Sequence, residues 1–133
     1  MNKIFTLLVF CAIAYYGYKP AIEHFDRARY SLSTVETKPF PKRAAFTLLR
    51  DTALRTCADA QKNHNVSPDK CEEIVKGRHA ECVTTLNAGT PGVISQKTEL
   101  KALGRTYLQC VTPYYFCKGV EIRTENEAQS HCK

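Results

Sequence analysis

The 133-residue chain has no Cys-x-x-Cys, no adjacent Cys-Cys pair and no tryptophan. A structural zinc site usually draws two thiolates from one short turn, and a thioredoxin-like centre spaces its cysteines by two residues. The spacing here disfavours both. A Gly-rich phosphate loop, a His-Glu-x-x-His helix and a Gly-x-Ser-x-Gly elbow are also missing. With them go the short signatures of nucleotide binding, zinc proteolysis and serine hydrolysis. No collagen period, heptad array or internal repeat runs through the chain, which excludes fibres, long coiled coils and solenoids. What is present is an ordinary apolar fraction of 44% in a length that suits one globular domain.

The formal net charge of +6 is unevenly spread. Residues 1–43 hold seven basic and three acidic residues, whereas residues 44–133 hold twelve and ten. A nucleic-acid-binding domain concentrates its basic residues on the folded part, because affinity comes from displacing counterions at phosphates. Here that part is nearly neutral, so nucleic acid is not an expected partner. The N-terminal excess suits anionic lipid headgroups if that segment stays near a membrane.

Residues 4–18 contain no charge and follow Lys3. As a helix they would span roughly 22 Å, short of a hydrocarbon core of about 30 Å. Two readings compete. A cleaved signal peptide would use Lys3 as its basic start and Ala12-Ile13-Ala14 as its small-residue cleavage site. A retained anchor would place Tyr15, Tyr16 and Tyr18 at the membrane interface, with Lys19 snorkelling. Both put the remainder outside the cytoplasm. Lys19, Arg27 and Arg29 oppose that orientation for an anchor, but a cytoplasmic domain with this cysteine load would have to stay reduced. Cys11 lies inside the apolar segment as an inert side chain, and Phe10 before it does not fit a lipidation site.

Cys57, Cys71, Cys82, Cys110, Cys117 and Cys132 all fall in the last 77 residues. An even set in a small exported domain implies a disulfide framework, and a domain this small gains from such staples. No metal and no cofactor is expected. Cys71 and Cys82 share one face of a predicted helix but stand roughly 16 Å apart along its axis, beyond the ~7 Å limit for a bridge. Each must cross to another element. Cys57 and Cys71 flank a short turn between predicted helices, which makes them the leading pair.

The predicted organisation is a signal or anchor over residues 1–19, a short helix and linker over 20–43, and a disulfide-rich helical domain over 44–133. Phe46, Leu49, Ala53, Cys57 and Ala60 recur at helical spacing, predicting a helix over 44–62. Ser67 followed by Pro68 signals the next helix, with its stripe at Cys71, Ile74, Val75, Cys82 and Leu86. Ser95 is the expected cap of a third, with Leu100, Leu103, Tyr107 and Cys110 on its core face. Thr112-Pro113 is expected to restart a short helical turn through Cys117. Val120 and Ile122 alternate with charges over too few residues to define a strand. Thr124 and Glu127 have capping-box spacing, predicting a terminal helix from Glu125. The fold class is all-α: a small disulfide-stapled bundle of three main helices and a short C-terminal helix, behind an N-terminal hydrophobic segment.

Candidate chemistry is sparse. His79 lies three residues before Cys82, and an oxidised Cys82 is neither nucleophile nor ligand. Glu72 and Glu73 sit in a first helical turn, where their charge favours the helix dipole. Ser67 and Ser95 are better used as caps than as nucleophiles. Asn65-Val66-Ser67 matches a glycosylation acceptor, but Pro68 follows it. Tyr114, Tyr115 and Phe116 are the most suggestive residues: three consecutive aromatics between two cysteines, which cannot all face inward. They are the expected binding residues, and no catalytic residue is expected.

The expected function is therefore a non-enzymatic protein-binding module, periplasmic or secreted. An inhibitor, an immunity-type protein or an envelope assembly protein would fit. The expected partner is another envelope or secreted protein, with the membrane contacted through residues 4–18 if they are retained. The alternatives are a small secreted hydrolase of envelope polymers and a carrier of an apolar ligand. An aqueous cleft converging on Glu72, Glu73 or His79 would favour the hydrolase, and a closed apolar cavity the carrier.

Overall fold

The computed structural model describes residues 30–133. The expected signal or anchor and most of the short helix after it lie outside the described residues. Among the described residues, no helix is long and apolar enough to cross a membrane.

Three main helices form the body. Helix α1 (Lys42–Thr56) begins after Pro41, whose fixed extended backbone makes the corner, and buries Ala45, Phe46, Leu49 and Ala53 on one face. A 3-10 turn (Cys57–Asp59) and a short helix α2 (Ala60–His64) continue it, ending at Asn65 in the left-handed conformation (φ 54°). Helix α3 (Pro68–Asn87) starts where Ser67 Oγ accepts a hydrogen bond from the Lys70 amide. Helix α4 (Lys97–Val111) buries Leu100, Gly104, Tyr107 and Val111. It ends at Thr112, which Pro113 holds in an extended conformation. Ser95 does not cap it: the N-cap is Gln96, and no side chain bonds to the first turn. Because Ser95 lies outside the cap position, its hydroxyl cannot serve the role that its residue type suggested.

The main core is shared by α1, α3 and α4, with Phe46, Leu49, Cys57, Val75, Tyr107 and Val111 at its centre. Gly104 lets α4 approach α1 closely, since a Cβ there would meet Leu49 Cδ2 at 3.1 Å. Cys57 pairs with Cys71 across the α2–α3 turn, as the short connection predicts, and Cys82 pairs with Cys110 to join α3 to α4. Cys117 pairs with Cys132. The result is a small disulfide-stapled helical bundle.

Residues 31–42, read from the sequence as a linker without regular structure, pack against this body. Ser and Thr side chains close successive turns, with Thr34 Oγ1 donating to the Ser31 carbonyl at 3.2 Å. Strand β1 (Phe40–Pro41) then pairs with β2 (Val93–Ile94), Phe40 opposite Ile94. Val35 and Phe40 in this largely polar stretch join Ala45, Ile94 and Leu100 in a second core, while Leu32 stays exposed. The folded body thus begins before residue 44.

The segment after Pro113 is also different from its expected form. Instead of a helical turn, Tyr115–Cys117 is strand β3, antiparallel to β4 (Val120–Ile122), with Tyr115 opposite Ile122. The two linking residues, Lys118 (φ 50°) and Gly119 (φ 84°), both have positive φ, the twist that a two-residue hairpin demands. Consecutive aromatics suit the pleated strand. Helix α5 (Glu125–His131) follows, opened by the Thr124–Glu127 capping box.

Candidate functional site

The β3–β4 hairpin carries the expected binding residues and separates them. Tyr114 and Tyr115 remain 48% and 51% exposed. Phe116 turns inward, half-buried against the main core. Exposure falls steadily along β3, from Tyr115 through Phe116 to the buried Cys117, as the strand runs in toward the body, while Tyr114 lies before the strand on the outer side. Val120, on the paired strand, adds a third exposed apolar side chain to the same small hairpin.

Several independent ties hold this surface still. The Asn65 side-chain amide donates to the Phe116 carbonyl at 2.8 Å, fastening β3 to the α2–α3 turn. Cys117 is bridged to Cys132 beyond α5. Glu121 is the hub. Its Oε1 accepts from the Tyr114 amide at 2.8 Å, while Oε2 accepts from Arg78 at 2.6 Å and Arg123 at 2.9 Å. Arg78 also donates to the Thr112 carbonyl at 3.1 Å, so α3, the end of α4 and the hairpin meet at one guanidinium. Burial would raise the Glu121 carboxyl, but the hydrogen bonds from Arg78, Tyr114 and Arg123 and the Arg78 charge prevail and hold it at about 2. Arg123 in turn lies over the Tyr114 ring, 5.6 Å from its centroid. Glu121 therefore sets both the backbone and the cationic neighbour of Tyr114. Its role was not visible in the chain order, since its partners lie 43 and 7 residues away. Its place between Val120 and Ile122 was a local signal of a strand, over too few residues to define one.

His79 and the acidic pair go elsewhere. His79 Nδ1 shares a 2.7 Å hydrogen bond with the Tyr107 hydroxyl, and Tyr107 is fully buried. Burial pushes the Tyr107 phenol up to about 12, with Asp51 adding to that and Arg50 opposing it. Burial and the nearby Arg50 charge both lower His79, favouring its neutral form. Glu72 and Glu73 face outward from α3 and pair with Lys76 at 2.8 Å and Lys70 at 3.0 Å. They do not converge with His79.

Two open grooves flank α3. One, of about 450 Å³, runs between its C-terminal end and α4, lined by Leu86, Thr90, Ile94, Glu99 and Leu103 among others. The other, about 350 Å³, lies between α1 and α3 and contains His79. Among the described residues, no group of three or more His, Cys, Asp or Glu is placed to hold a metal ion. No family model, curated protein or solved structure matches the chain.

Proposed function

We propose that this protein is a non-enzymatic extracytoplasmic binding module that engages another envelope or secreted protein through Tyr114 and Tyr115. The three intrachain disulfides point to an oxidising, extracytoplasmic environment; a periplasmic or secreted setting is the finer reading. The observation that carries the binding role is the exposure of two adjacent tyrosines on a hairpin held by a disulfide and by the Glu121 hub. Aromatic side chains on a preorganised scaffold bury a large area on association and lose little freedom. Glu72 and Glu73 are paired with Lys76 and Lys70 and do not line the groove that holds His79, which lends the hydrolase alternative no support.

A photo-crosslinking residue placed at position 114 or 115, in cells that make the protein natively, tests this reading. Both positions should yield one discrete protein adduct, while position 76 on the outer face of α3 should not. No adduct at either tyrosine, or the same adducts at all three positions, would reject the hairpin as the binding surface.

A further inference from the structure

We infer that the groove between α1 and α3 binds a small organic oxyanion, a phosphate or carboxylate attached to an apolar body. This site is separate from the hairpin and does not depend on its role. The two helices run antiparallel here, so positions 42, 46 and 50 of α1 face 87, 83 and 79 of α3 in turn. Phe46 and Val83 supply an apolar floor, and Lys42, Arg43 and Arg50 supply three cations around it. Among the described residues, no carboxylate lines the groove.

The lining groups also have unused bonding capacity. Arg50 Nε is buried without a hydrogen-bond partner, and its terminal nitrogen reaches Asp51 at the long distance of 3.8 Å. Nε itself is closed off, so an acceptor in the groove would meet the terminal nitrogens of this one-third-exposed side chain. Guanidinium groups suit the planar or tetrahedral oxygens of carboxylate and phosphate, with paired donors meeting paired acceptors. His79 faces Arg50 from α3 and Tyr107 from α4. It is a neutral donor or acceptor at the inner end of the groove. An anion seated beside Arg50 would offset the charge that disfavours His79 protonation.

Heteronuclear NMR of the oxidised protein tests this with three probes: phenyl phosphate, 3-phenylpropionate and inorganic phosphate. At constant ionic strength, either phenyl-bearing anion should produce saturable shifts at Phe46, Thr47, Arg50, His79 and Val83. At the same concentration inorganic phosphate should produce shifts at least fivefold smaller, and the His79 titration midpoint should rise when the site is filled. A response to phenyl phosphate alone identifies the phosphate source, and a response to phenylpropionate alone the carboxylate source. R50Q should lose the saturable response; K42Q with R43Q should weaken it at least threefold while leaving the spectrum of the rest of the body intact. Absence of saturation with both organic anions, an equal response to inorganic phosphate, or undiminished binding by both variants would overturn the assignment.

Discussion

The buried hydroxyl of Tyr107 depends on one partner, the His79 ring 2.7 Å away. Replacing His79 by Leu strands that hydroxyl in the core and should cost about 1–3 kcal/mol in urea unfolding. Tyr107→Phe leaves only the partly exposed imidazole without its partner and should cost less. Combining the two should restore much of the loss, giving a coupling that a double-mutant cycle reads directly. Simple additivity of the two changes would show that the hydrogen bond contributes nothing. Glu121 makes a second prediction. Its folded carboxyl, at about 2, lies below its ordinary value of 4.5. The stabilisation it brings is therefore complete above about pH 4.5 and is lost as pH falls toward 2, amounting to at most about 3 kcal/mol. Glu121→Gln should flatten that part of the stability–pH curve and speed amide exchange at Tyr114. An unchanged acid limb would contradict the hub.

At the scale of elements, α5 is held differently from the three main helices. It has no buried residue, and its order rests on the capping box, on the Cys117–Cys132 bridge, on contact with β4 and on the Lys118 ammonium bonding to the Lys133 carbonyl. Changing both Cys117 and Cys132 to Ser should release α5 and loosen the hairpin while the bundle persists. Hydrogen exchange should rise by at least tenfold over residues 114–132 and remain within twofold in α1, α3 and α4. If exchange rises throughout, the hairpin and the bundle form one cooperative unit. The starts of α3 and α5 were legible because Ser67-Pro68 and the Thr124–Glu127 pair act on their own neighbours, whereas α1 begins at Lys42 and gives way to a 3-10 turn at Cys57–Asp59 inside the single helix expected there. The hairpin was not legible. Its signal is a Lys-Gly dipeptide in which Lys118 takes a positive φ, a conformation that lysine seldom adopts and that sequence patterns do not anticipate.

At the scale of the molecule, two cores meet along α1 and α4. The smaller one closes around Phe40, which is fully buried against Tyr30, with ring centroids 5.0 Å apart. Phe40→Ala should cost roughly 3–5 kcal/mol in thermal or denaturant unfolding. A loss below about 1 kcal/mol would mean that residues 31–41 are an attached tether and no part of the cooperative fold. The Cys82–Cys110 bridge runs from the buried Cys82 on α3 to the exposed Cys110 on α4, at the edge of the main core, and closes the longest loop of the three, 28 residues. It joins parts of the chain that hydrophobic packing alone would have to hold in a body of this size.

The chain order determined by itself the helical class, the starts of α3 and α5 and the grouping of six cysteines into a framework, because each depends on periodicity, composition or residues a few positions apart; it made Cys57–Cys71 the leading pair, and the fold settled the pairing. Tertiary structure alone decided which tyrosines face solvent, that Glu121 organises them, that Val35 and Phe40 belong to a core, and that Lys42, Arg43, Arg50 and His79 share one groove. Those arrangements bring together residues tens of positions apart. Their energies come from burial and charge in a shared environment, which no local pattern encodes.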